Sequence, residues 1–375
     1  MYTVGGQRIL VVDAQVHVWD ASPHNQAIPD GEAYATDLLR RHRELDGAGV
    51  PRHEVERVSE QSLTRDVFEA GYVDRAVLQP VVLGDLFVLG FSPLEWHAEM
   101  AGWMPGRFVL SGELDPGGGQ PGARGLGPRV RRFDLRGLTL CERRRPAGWQ
   151  RLGDPWLRRT LARCGAAGAD VVHIGVGPST LPAPWRREQA GAPAPPPGAA
   201  RDRPPRVPRW AEPVRAGSAL PARTRAAERV APAGFDAGQF RTLARALPDI
   251  RFVLGAGCLP GPRLCRLAEL PNVHVLLTEI LPWIGSPDFA HAFGQLLAAY
   301  GPERLLFGSG YPLVRPGRLV RELGAYRFPD ELRHRYPRFD TAAKRAVLGG
   351  NAARLYRIGR PVPAAPAVAA VAAGA

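Results

Sequence analysis

Four polar side chains in this sequence sit where apolar runs end, which is where chemistry is usually mounted on a rigid scaffold. Gln15 and His17 lie in Val12-Asp13-Ala14-Gln15-Val16-His17, and a spacing of two puts both on one face of an extended segment. His173 closes Val171-Val172-His173-Ile174, and Glu279 follows Thr278 after another apolar run at 273–277. Imidazoles orient a carbonyl or move a proton, and a carboxylate at a strand end can act as a general base. Gln79, at the end of the run beginning at residue 76, can hold a substrate carbonyl or simply cap a cavity. Trp19, Trp283 and Tyr311, with nearby arginines, suggest an oily and basic rim suited to an anionic aromatic molecule. Each residue also has a plainer reading: a hydrogen-bonded core histidine for His17 and His173, a solvated loop acid for Glu279. Glu113, near the end of Val109-Leu110-Ser111-Gly112-Glu113, is a comparable candidate base. His97, His274 and His291 read as structural, and Asp13 as the residue that orients the first loop.

The elements that must hold these groups follow from the pattern of apolar runs. Strands are predicted at 9–19, 76–82, 108–114, 135–140, 170–174, 250–254, 273–277 and 304–307, rich in Val, Ile and Leu without clean alternation. That is the signature of parallel strands buried on both faces. Helices are predicted between them at 62–70, 92–104, 155–164, 235–247 and 287–300, with Pro or Gly at their boundaries. Eight strands alternating with helices predict an α/β fold, a (β/α)8 barrel spanning 1–357, with chemistry at the C-terminal strand ends. An open doubly wound sheet is the runner-up, but no Gly-rich phosphate loop follows the first strand. Gly5-Gly6 precedes that strand and reads as a leader turn.

The chain has 375 residues, with 45% hydrophobic and 23% charged residues, which excludes wholesale disorder. Its formal charge of +13 comes from 49 basic residues, all arginine except Lys344. Many lie in the Pro/Ala/Arg-rich stretch 177–234, which has no apolar period and is expected to be a disordered insertion after the fifth strand. The tail 358–375 is expected to be disordered as well. Trp185 and Trp210 alone do not interleave that basic stretch with aromatics, so the charge does not argue for nucleic acid. Four cysteines, Cys141, Cys164, Cys258 and Cys265, show no paired spacing and argue against zinc knuckles or a disulfide scaffold. No run is long and apolar enough for a membrane span, so a cytoplasmic protein is expected. The sequence leaves the oligomeric state open.

Five segments together resemble the amidohydrolase-related (amidohydrolase 2) family of metal-dependent TIM-barrel hydrolases. They are Asp13 to His17, His173 before Gly175, Pro248 to Gly257, Leu305-Leu306-Phe307-Gly308-Ser309-Gly310-Tyr311-Pro312, and Gly350-Asn351-Ala352-Ala353-Arg354-Leu355. The resemblance runs from about residue 9 to 356, skips 177–234, and keeps the family's order. In that family the first strand carries D-x-H-x-H, the sixth a histidine and the eighth an aspartate that binds metal and moves the proton. Here those positions hold Gln15, Ala256 and Gly310, while His17 and His173 are kept. The resemblance implies cleavage of a C–N, lactone C–O or carboxylate C–C bond in a small cyclic or aromatic substrate, with hydrolysis ahead of decarboxylation. The expected catalytic residues are His17, His173 and Glu279, and the expected substrate contacts are Gln15, Gln79, Trp19 and Tyr311. The metal site is degenerate: His17 and His173 are weak ligands, joined at best by Gln15 or a Cys258 thiolate. The expectation is no cofactor or a weakly held divalent metal, zinc first, because a catalytic zinc takes three good protein ligands. The alternative is a catalytically inactive barrel that binds a ligand or a partner.

Overall fold

The computed structural model describes residues 2–47, 49–81, 83–116, 125–140, 152–174, 235–257 and 261–359. The predicted insertion at 177–234, nearly all of the 358–375 tail, and Cys258 lie outside the described residues. Eight parallel strands form one sheet in chain order: β1 Val12–Val16, β2 Arg75–Leu78, β3 Phe108–Leu114, β4 Gly137–Leu140, β5 Val171–Ile174, β6 Arg251–Gly255, β7 Val273–Leu276 and β8 Leu305–Leu306. The backbone joins the ends of this sheet. The Ala14 N–H donates to the Phe307 carbonyl at 3.0 Å, the Gly310 N–H to the Gln15 carbonyl at 3.0 Å, and the His17 N–H to the Tyr311 carbonyl at 2.9 Å. The closed (β/α)8 barrel predicted from the sequence is therefore the fold.

Side chains alternate between two cores, as the strand period requires. Val12, Ala14, Val77, Val171, Val253, Leu276 and Leu306 fill the barrel, joined from below by Ala352, Leu355 and Tyr356. The residues between them, such as Ala76, Leu78, Val172, Phe252, Val275 and Leu305, face the surrounding helices. The predicted strand at 9–19 is shorter in the structure. Ile9 ends an antiparallel hairpin, Tyr2–Val4 with Gln7–Ile9, whose turn residues Gly5 and Gly6 both have positive φ, the conformation a two-residue hairpin turn requires. A register shift between Asp13 and Val16 then bends β1 at its C-terminal end, which aims the residues after Ala14 at the mouth.

The helices over 287–300 and 155–164 are present as Pro287–Tyr300 and Pro155–Ala166, and the helix at 62–70 is Glu60–Leu63 continued by a wider turn over Thr64–Glu69. The sequence reading missed an 18-residue helix, Pro29–Asp46, which packs Tyr34, Ala35, Leu38 and Leu39 inward and ends on Gly47 at φ 64°. It also missed Pro316–Ala325. No helix among the described residues is long and apolar enough to cross a membrane.

Candidate active site at the C-terminal mouth

His17 leaves β1 with 1% exposure. Its Nδ1 lies 2.7 Å from the backbone carbonyl oxygen of Gln79. A carbonyl only accepts, so Nδ1 carries the hydrogen and the Nε2 lone pair is free; Nε2 is buried without a partner. Burial holds this imidazole down at about 4, against a smaller upward pull from the Gln79 carbonyl. His17 is a neutral acceptor.

His173 is placed differently. The Gln79 side-chain amide sits 2.8 Å from His173 Nδ1 and also donates to the Ala14 carbonyl at 2.7 Å. On the other side of the ring, His173 Nε2 pairs with the Tyr356 hydroxyl, whose ring stacks near it at 6.0 Å. With Nδ1 accepting from Gln79 and Nε2 donating to Tyr356, both nitrogens are engaged. Burial, and secondarily the nearby His17, holds its pKa down at about 3. Sequence reasoning did not assign Tyr356; its only signal was its place directly after Leu355 of the last motif.

Glu279 stands where β7 ends. Both carboxyl oxygens are shielded from solvent and lack a partner, as does the Thr278 hydroxyl. Burial pushes its pKa up to about 7. The N–H groups of Glu279 itself, Gly257 and Ala256 pull the other way, but none closes a hydrogen bond on either oxygen. The carboxyl lies over Gly255, where an added Cβ would stand 2.5 Å from Oε1. Gln15 and Thr278 flank Gly308 in the same manner, with Gln15 Cβ and Thr278 Oγ1 at 3.3 and 2.7 Å from such a Cβ. Gln15 Oε1 is buried and unpartnered. Thus Gln15 and Thr278 meet over Gly308 and Glu279 lies over Gly255, whereas the His17 ring turns to the Gln79 carbonyl at the end of β2. No described hydrogen bond joins Glu279 to either histidine.

Several sequence expectations are corrected here. Tyr311 does not line the mouth: it is 2% exposed and its hydroxyl points outward to Asp66 at 3.2 Å. The turn at Gly310, with φ 69°, sends the next side chain to the helix layer. Trp19 is likewise 1% exposed. Its indole N–H is held by the Val55 carbonyl at 2.7 Å and its ring stacks on Phe91 at 5.0 Å, leaving one edge on a neighbouring groove of about 870 Å³ that also touches Arg57, Arg65 and Trp96. That groove is lined by none of His17, His173 and Glu279. Glu113 differs from Glu279 in that one carboxyl oxygen, Oε1, is tied to Arg129 at 2.8 Å, while Oε2 has no partner. His97 bonds to Ser92 at 2.9 Å and His291 to Tyr336 at 3.0 Å. Asp13 does more than orient a loop: its Oδ1 accepts the Ser309 N–H at 2.9 Å and the Gln15 N–H at 3.1 Å, stitching β1 to the segment after β8.

A catalytic zinc takes three protein ligands with an open fourth position. Ala256 and Gly310 carry no ligand, and both nitrogens of His173 are engaged. Among the described residues no group of three or more His, Cys, Asp or Glu could hold a metal ion. The described residues alone do not make up the three-ligand centre; Cys258 lies outside them.

Fold and site together define a (β/α)8 barrel with a polar mouth built from the ends of its first, second, fifth, seventh and eighth strands. The chain matches the amidohydrolase family Amidohydro_2 over residues 12–358 and belongs to that family. Among solved structures it is similar to an uncharacterized TIM-barrel protein from Bordetella bronchiseptica, at TM-score 0.57 and 16% identity over 93% of this chain and 99% of that one. An amidohydrolase from Burkholderia multivorans with bound zinc matches at TM-score 0.53 and 16% identity, again over 93% and 99%. A 5-carboxyvanillate decarboxylase from Sphingomonas paucimobilis matches at TM-score 0.50 and 14% identity, over 94% and 99%. At these identities the likeness concerns the fold. No curated protein matches.

Proposed function

We propose that this protein is an amidohydrolase-type hydrolase of a small cyclic or aromatic molecule, cleaving a C–N or lactone C–O bond without a fully built metal site. One observation carries the reading: a buried carboxyl, Glu279, with both oxygens unpartnered and its pKa pushed up to about 7, at the strand ends where barrel enzymes do chemistry. A general base works best when its pKa lies near the working pH, and a buried carboxyl with no structural partner is costly to keep without a use.

In this scheme Glu279 takes a proton from water as the water oxygen attacks the substrate carbonyl. It then returns that proton to the leaving nitrogen or oxygen, so the carboxylate is regenerated. His17 Nε2, locked as an acceptor by the Gln79 carbonyl, orients a donor on the substrate or the attacking water. The Thr278 hydroxyl and the Gln15 amide flank the same space and supply polar contacts to the carbonyl. His173 and Gln79 act as struts that fix His17, not as groups that touch substrate. The expected partner is a small molecule; nucleic acid and membrane surfaces are not part of the reading, and a cytoplasmic setting remains its expectation.

The test is a panel of lactones, cyclic amides and aromatic carboxylates, assayed with the natural protein and Glu279→Gln. The expected result is turnover of a lactone or amide that falls by roughly 10²–10⁴-fold in the variant, the usual worth of a general base. A carboxylate cleaved with release of carbon dioxide would instead favour decarboxylation. Saturable binding with no turnover by the natural protein would favour the inactive, ligand-binding barrel.

A further inference from the structure

The opposite end of the barrel holds a second polar cavity that the proposed chemistry does not use. It has a volume of about 400 Å³ and opens between the N-terminal ends of β2, β3 and β4, with walls that include Arg75, Arg136, Arg357, Phe108, Phe133 and Tyr356. That size lies within the ordinary range of small-molecule pockets. Three of its lining residues are arginines against a single carboxylate, Asp134.

Arg75 is the unusual member. It is only 5% exposed, and strand alternation puts it on the inner face with Val77. Its Nη1 donates to the Asp74 carbonyl at 3.0 Å. The Asp74 carboxylate is directed elsewhere, taking the Val11 N–H at 3.0 Å and facing Arg8 at 3.9 Å. Burial, and after it the nearby Arg107, lowers the Arg75 pKa, against a smaller upward pull from Asp74. Among the described residues no carboxylate pairs with Arg75, whereas Arg136 has Asp134 at 2.9 Å and Arg357 has Asp170. A nearly buried guanidinium with no carboxylate in contact, facing a cavity rimmed by two further arginines, is an arrangement that an anion completes.

We infer that the base of the barrel is a binding site for a small oxyanion of the phosphate or carboxylate type, with Arg75 at its centre and Arg136 and Arg357 on its rim. Guanidinium forks match the paired oxygens of such groups, and the rings of Phe108 and Phe133 leave room for a short apolar body on the ligand. Tyr356 lines this cavity while its hydroxyl holds His173, so an occupant at the base touches the same side chain that braces the mouth.

The experiment is thermal unfolding of the full chain in rising inorganic phosphate, with sodium chloride at matched ionic strength as the control, repeated with Arg75→Met and Arg136→Gln. A specific site gives a saturable rise in Tm with phosphate beyond the chloride control. In the Arg75 variant that rise should need at least about tenfold more phosphate, while in the Arg136 variant the apparent Kd should weaken severalfold, as charge-assisted contacts imply. If Arg75→Met does not fold, Arg136→Gln and Arg357→Gln decide the question by the same shift in apparent Kd. No saturable rise in the natural protein, or an equal rise in all forms, overturns the inference and leaves Arg75 as part of the barrel's structural floor.

Discussion

Glu279 and His17 are buried polar groups with opposite consequences for stability. The Glu279 carboxyl, normally near 4.5, is pushed up to about 7, so the folded state holds its proton more tightly than the unfolded chain does. Its favourable contribution is fully present below pH 4.5 and is lost as pH rises through 7. Glu279→Gln should therefore unfold at a higher temperature than the natural protein at pH 8, and at about the same temperature at pH 4. Thermal unfolding at the two pH values checks this, and equal Tm values at pH 8 would place the carboxyl in water. Tyr356→Phe is the companion test: it strips His173 Nε2 of its hydroxyl partner inside the barrel and should cost about 1–3 kcal/mol, the usual penalty for a buried unsatisfied polar group. Chemical denaturation measures that cost. The spacing of two in an extended segment is the signal from which Gln15 and His17 were read as a pair. The engagement of His173 was not legible in the sequence, because Tyr356 reaches it from 183 residues away, a contact that no local pattern encodes. The outward turn of Tyr311 was hidden for a related reason, since it depends on the positive φ of Gly310.

At the scale of elements, glycines decide how closely strands and helices approach the site. A Cβ at Gly349, in the wide turn that leads into the last helix, would lie 2.2 Å from the Leu10 carbonyl oxygen and 3.0 Å from the Val12 nitrogen. Backbone on both sides leaves nothing to move aside. A Cβ at Gly255 would instead meet the end of the Glu279 side chain at 2.5 Å, which can swing away. Gly349→Ala should thus destabilise the barrel by about 1–3 kcal/mol or more, whereas Gly255→Ala should cost less stability and lower turnover by displacing the carboxyl. Denaturation and steady-state kinetics on the pair separate the two effects; a larger loss of stability at 255 would contradict the assignment. The strands were readable as continuous apolar runs, and β3 matched its predicted bounds. The helix Pro29–Asp46 was not, because its buried residues are diluted by Asp30, Glu32, Asp37, Arg40, Arg41, Arg43 and Glu44 in a connection longer than a barrel ordinarily needs.

For the whole molecule, buried titrating groups set the pH dependence of folding. His17, His97, His173 and His274 are held at about 4, 3, 3 and 4 by burial, so each favours the folded state above pH 6.5 and costs stability as pH falls toward those values. Asp13 and Glu279, raised to about 6 and 7 by burial, work in the opposite sense. Between pH 4.5 and 6 the four histidines outnumber the two acids, so Tm should rise with pH across that window and level off near neutrality. A Tm that falls from pH 4.5 to 6 would contradict the burial of the histidines.

The central claim is that a raised carboxyl, and not a complete metal centre, moves the proton at this mouth. The most direct measurement is the turnover rate of the chelator-dialysed protein on the substrate identified in the panel, followed as zinc is added back up to one equivalent. The account predicts a rate that is already full before zinc is added and stays flat. A rate near zero that climbs in proportion to zinc and saturates at one equivalent would contradict it.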